Sequence, residues 1–135
     1  MGDIARIKRD KGEVDEALGL LRERLEVNRR LGDQDGIAGA SFDIGQIQLG
    51  RAVEHSDAEV FGLAFEALSE SYGIFLKIGR LDGICFVGLA LGRAFAMAGQ
   101  PDEAREILQR SFDGFRKLGR GGEAAQVENL LQQLG

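Results

Sequence analysis

The chain is poor in the residues that most often carry chemistry. It has one cysteine (Cys85), one histidine (His55), one proline (Pro101), one tyrosine (Tyr72) and no tryptophan in 135 residues. A lone cysteine has no internal disulfide partner, so a reducing, cytoplasmic setting is expected. One histidine and one cysteine are too few for a His/Cys zinc site. Apolar stretches run only a few residues, well short of the roughly 20 that cross a bilayer. No basic start leads into an apolar core, so no signal peptide is read. A hydrophobic content of 44% with 29% charged residues excludes a disordered tail or a collagen-like chain and suits one globular domain spanning residues 1–135.

With proline nearly absent, glycine is abundant at 20 residues. Many of these glycines fall inside apolar periodic segments. A helical glycine costs about 1 kcal/mol relative to alanine. Close approach of helices is the compensation expected.

Charge is distributed unevenly. The net charge is -5, yet residues 1–32 and 76–135 are each +1 and residues 33–75 carry 1 basic and 8 acidic side chains. A duplex-binding protein needs several cations on one face. The acidic middle argues against nucleic acid. The cluster Arg22, Arg24, Arg29 and Arg30 is interleaved with Glu23 and Glu26, as on a solvated helix face.

A repeat organises the chain. Leu31-Gly32-Asp33, Ile78-Gly79-Arg80 and Leu118-Gly119-Arg120 are alike, and their glycines are 47 and 40 residues apart. Ala5, Gly45 and Gly92 form a second series with intervals of 40 and 47. The period is therefore 40 residues, with 7 extra in the second copy. Fifteen residues before each junction glycine stand Ala17, Ala64 and Ala104. From each alanine an apolar face continues at spacings of three and four, the pattern of an amphipathic helix. No useful length alternates as a strand would.

Each copy reads as a helix pair, with copies over about 1–32, 33–79 and 80–119. First helices are expected near 3–11, 34–53 and 82–98, and second helices near 13–31, 57–79 and 101–118. A final helix near 122–134 has Val127, Leu130, Leu131 and Leu134 on one face and a polar opposite face, as a terminal cap requires. Gly32, Gly79 and Gly119 stand where left-handed residues end helices. Pro101 suits a helix start, with Asp102 and Glu103 complementing the dipole. Ser56-Asp57-Ala58-Glu59 has capping-box spacing, which starts a helix at Ser56. The extra residues then lengthen a turn around 51–57.

These columns resemble the tetratricopeptide repeat. The third copy carries the pattern best: Leu91-Gly92, Phe95, Gly99, Ala104, Leu108 and Ser111-Phe112. The second shows Ile44-Gly45, Ala64, Leu68 and Ser71-Tyr72, and the first Ile4-Ala5, Gly12, Ala17 and Leu21. Lys8 and Gln48 depart from the aromatic position, Pro101 from the aromatic beside the turn, and Arg24 from a small residue. The 40-residue period with its Leu-Gly-Asp junction is similar to the long variety of the family. The resemblance implies an all-α, right-handed superhelical solenoid of three antiparallel helix pairs and a C-terminal capping helix.

It also implies a non-catalytic protein-interaction module without a cofactor, holding a peptide or protein partner in a concave groove lined by the first helices. Carried over residue by residue, the groove positions are Arg6, with Arg9 and Asp10; Phe42, Gln46 and Leu49; Phe86, Leu89, Arg93 and Met97; and Gln126 and Asn129 on the cap. Phe42, Leu89 and Met97 equally suit core between copies; Phe86 and Arg93 are the better groove candidates. Phe42, Gln46, Leu89 and Arg93 depart from the Lys/Asn carboxylate clamp of chaperone-tail binders. Self-association through the first repeat, or a ligand-sensing role within a larger regulator, are the alternatives.

Catalytic readings are weaker. Asp33-Gln34-Asp35-Gly36 opens like a calcium loop, but Ile44 stands where glutamate is required. There is no Gly-x4-Gly-Lys phosphate loop. Cys85 lies in an apolar stretch and reads as core. His55 reads as a solvated turn residue.

Overall fold

The computed structural model describes residues 11–134. Among these residues all regular structure is helical: α1 Lys11–Leu31, α2 Gln34–His55, α3 Ala58–Ile78, α4 Leu81–Met97, α5 Pro101–Lys117 and α6 Gly121–Gln133. These match the expected segments from 13–31 onward to within about two residues at each end. The expected helix at 3–11 falls outside the described residues but for Lys11, and Arg6, Arg9 and Asp10 fall outside them altogether. No described helix is long and apolar enough to cross a membrane.

Two or three residues join successive helices, so neighbours must run antiparallel. The stops use left-handed glycines as expected: Gly32, Gly79 and Gly119 have φ of 72°, 73° and 73°, and Gly99 adds a fourth at 75°. Asp33 accepts the Gly36 amide at 3.0 Å and caps α2, the helix-junction role expected of it. Pro101 opens α5, followed by Asp102 and Glu103.

The α2–α3 and α4–α5 pairs use equivalent columns. A β-carbon on Gly45 would stand 2.8 Å from Leu68, and one on Gly92 would stand 2.5 Å from Leu108. Gly88 meets Ser111, and Gly114 meets the Cys85 sulfur. Along α4–α5 the contacts 85–114, 88–111 and 92–108 descend one helix as they climb the other, which is antiparallel packing. In α2–α3 the Ser71 hydroxyl donates to the Ala38 carbonyl at 2.8 Å. Ala64, Leu68, Ala104, Leu108, Phe115 and Val127 are almost wholly buried. Removing such side chains from water is the main stabilising contribution, about 25 cal/mol per Å² of apolar surface.

Three sequence expectations are corrected. Close packing accounts for only some helical glycines: Gly19, Gly39, Gly50, Gly62 and Gly73 have nothing within 4 Å of the β-carbon position. The 7 extra residues do not lengthen a turn. The α2–α3 turn is only Ser56 and Asp57; instead α2 runs five residues further past Gly45 than α4 runs past Gly92, and α3 starts three residues earlier relative to Ala64 than α5 does to Ala104. Helix propagation adds a hydrogen bond per residue, whereas a loop adds none. Finally, Ser56 does not cap α3. It ends α2 in the left-handed region at φ 50°, and Asp57 caps α3, accepting from the Glu59 and Val60 amides at 3.0 and 3.1 Å.

At the C-terminal end, α6 buries Ala124 and Val127 against a cluster containing Cys85, Leu89, Leu108 and Phe115. It turns Gln126, Glu128, Asn129 and Gln132 to solvent.

Candidate functional site

Two adjoining clefts meet on α4. The first lies between α2 and α4, with a volume of about 400 Å³. Gln46, Leu49, Gly50, Val53 and Glu54 form its α2 wall, and Ala90, Arg93 and Met97 its α4 wall. The second, of about 350 Å³, is lined by Arg93, Ala96, Met97 and Leu108 together with Leu130, Gln133 and Leu134 of α6 and its end. Arg93 and Met97 form the ridge between the clefts. They stand one helical turn apart on α4, so both point the same way.

The chemistry of this surface is mixed by design of the helix faces. Met97 is 53% exposed, a large unbranched apolar side chain at the rim. Arg93 is half-buried and makes no hydrogen bond or ion pair among the described residues. Its guanidinium therefore presents its forked donors to whatever enters. Glu54 supplies an opposite charge at the far wall. The Asp43 carboxyl, on the same helix as Gln46, is pushed up by burial, against the opposing pull of Arg24.

The remaining residues expected in the groove are distributed differently. Gln46 and Leu49 line the first cleft with Arg93 and Met97. Phe42 is half-buried against the Phe75 and Leu68 clusters and lines neither cleft, so it belongs to the core edge. Leu89 is only 8% exposed and is core. Phe86, expected to be open, is partly buried: its ring meets Phe115 edge-to-face at 5.0 Å, and the Arg120 guanidinium lies 4.9 Å above it. This cation–π contact gives the Phe86 face an intramolecular partner. Asn129 is exposed on α6 but lines neither cleft.

The cap residues in the clefts are instead Leu130, Gln133 and Leu134. Their signal was present, since Leu130 and Leu134 belong to the apolar face of the last helix. Glu54 was hidden by ending the expected helix at residue 53.

Elsewhere, Cys85 is fully buried, and burial, aided by the Asp82 charge, pushes its thiol up. His55 is exposed, 3.9 Å from Glu54. Among the described residues no group of three or more His, Cys, Asp or Glu is placed to hold a metal ion.

Fold and site together define an all-helical protein of packed antiparallel helix pairs with an open, apolar-floored double cleft. No protein-family model matches the chain, and no curated protein matches it.

Proposed function

We propose that the protein is a non-catalytic, cytoplasmic interaction module that holds a peptide segment of a partner protein in the groove running from the α2–α4 cleft to the α4–α6 cleft. The architecture proposed with it is a right-handed solenoid of three tetratricopeptide-like repeats with α6 as cap. The observation that carries the reading is the ridge of Arg93 and Met97 between two clefts. An apolar anchor and an unpaired forked cation, side by side, suit a segment that alternates apolar and acidic side chains. Small residues, Gly50, Ala90 and Ala96, leave room for a backbone to approach.

The test is selection of peptides from a random display library against the whole chain, with the Arg93→Glu/Met97→Ala variant as counter-target. Peptides enriched on the parent and lost on the variant support the groove. Acidic residues should predominate among them. Enrichment that is equal on both proteins, or absent, would overturn the reading.

A further inference from the structure

The walls of the two clefts differ in charge, and the difference defines the segment that fits. The α4–α6 cleft is mostly apolar, with Met97, Leu108, Leu130 and Leu134 around it and Arg93 and Gln133 as its polar groups. The α2–α4 cleft shares Arg93 and Met97 but adds a carboxylate, Glu54. Neither charge is held by a close opposite charge of the chain. Arg93 makes no ion pair among the described residues, and the ionic neighbour of Glu54 there is the His55 imidazole, at 3.9 Å.

The repeat register gives the spacing of these charges. Gln46 and Arg93 are equivalent positions, each one residue past the close-packed glycine of its helix, Gly45 or Gly92. Glu54 lies eight residues beyond Gln46 on the same helix, about 12 Å of rise. A counterpart of Glu54 on α4 would fall past Met97, where that helix ends. The groove therefore holds a cation and an anion about 12 Å apart along the helix direction, with Leu49, Gly50 and Met97 between them. An extended chain rises about 3.3 Å per residue, so about four of its residues cover that span.

We infer that the groove reads charge as well as apolar character. Resting on the peptide reading above, the guest carries a bulky apolar residue for the α4–α6 cleft, an acidic residue for Arg93 and, about four residues further on, a basic residue for Glu54. The Glu54 carboxylate also repels a second acidic residue at that place, so it discriminates among guests as well as attracting one. Both charges sit on an open surface, so their effect is modest and weakens with salt.

The experiment is selection from a random peptide display library on the whole chain and on Glu54→Lys, with one selected peptide then titrated against both. Glu54 is exposed in the last turn of α2, where lysine suits the helix dipole, so the variant should keep the parental helicity by circular dichroism. Peptides taken by the parent should carry Lys or Arg about four positions from the acidic residue. Those taken by Glu54→Lys should carry Asp or Glu there, with the apolar and first acidic residues unchanged. The parent-selected peptide should bind Glu54→Lys about three- to tenfold more weakly at low salt. Replacing its basic residue by glutamate should restore the affinity on the variant. Peptides that are lost on Arg93→Glu/Met97→Ala but show no charge preference at the Glu54 place would overturn this inference and leave the peptide groove standing. Unchanged binding to Glu54→Lys would do the same. A library that yields no binder to the parent would overturn both.

Discussion

Gly92 faces Leu108 across the α4–α5 contact so closely that a β-carbon would come within 2.5 Å of the Leu108 side chain. Gly92→Ala should therefore overpack the pair and destabilise by about 1–3 kcal/mol, lowering the thermal midpoint. Gly73 is equally helical but has nothing within 4 Å. Gly73→Ala should stabilise by roughly 0.5–1 kcal/mol. Thermal unfolding of both variants gives shifts of opposite sign if backbone proximity is the reason for Gly92; shifts of the same sign would refute it.

The α2–α3 turn supplies a second opposed pair. Ser56 adopts a left-handed φ of 50°, which a side chain disfavours. Ser56→Gly should relieve this and raise stability by about 0.5–1 kcal/mol. Asp57 holds two amides of the first turn of α3, so Asp57→Ala should cost about 1 kcal/mol. Chemical denaturation of each variant measures both.

At the α3–α4 junction, Arg80 donates to Asp82 at 3.2 Å and to Asp35 at 2.9 Å. The hydrogen bond to Arg80 holds the Asp82 carboxyl below the usual carboxylate range, with partial burial working against it. A lowered native value means the contribution is complete above the ordinary carboxylate pKa and is lost as pH falls through the lowered one. Arg80→Ala should then lower stability only slightly at neutral pH, because the groups are exposed and screened by solvent. The parent and variant stability curves should converge in acid; a constant gap across pH would point to packing.

Cys85 should behave as a reporter of unfolding. Its thiolate is the reactive form, and burial raises the thiol above its ordinary value. The neutral form is thus favoured in the native state. The associated stability is present below the ordinary thiol pKa and declines as pH rises through the raised one. Labelling by a thiol reagent at mildly alkaline pH should be slow in the native protein and should rise with denaturant in parallel with loss of helicity. Rapid labelling of the folded protein would contradict the burial.

The helices were legible because the alanine and leucine columns repeat with a helical period and the glycine stops stand where that period breaks. The segment 51–57 was misread for a physical reason. A capping-box pattern at Ser56 and a cluster of charge mimic a turn, whereas two further turns of helix absorb the same residues without breaking the hydrogen-bond ladder. That single choice concealed Glu54 in the groove wall. Phe86 was misplaced because its neighbour in space, Arg120, is 34 residues away in sequence and periodicity carries no information about it. Gln46, Leu49, Arg93 and Met97 could be placed together, since two helices in register bring their like-numbered faces side by side.

The longer α2 gives the groove unequal banks. Five additional residues at 1.5 Å each raise one bank about 7 Å beyond the other. Val53 and Glu54 stand on that step and line the same cleft as Met97. The two ends of the cleft therefore offer different heights and different charge. For the peptide proposed above, the length of a single helix would thus help to set the direction in which it lies.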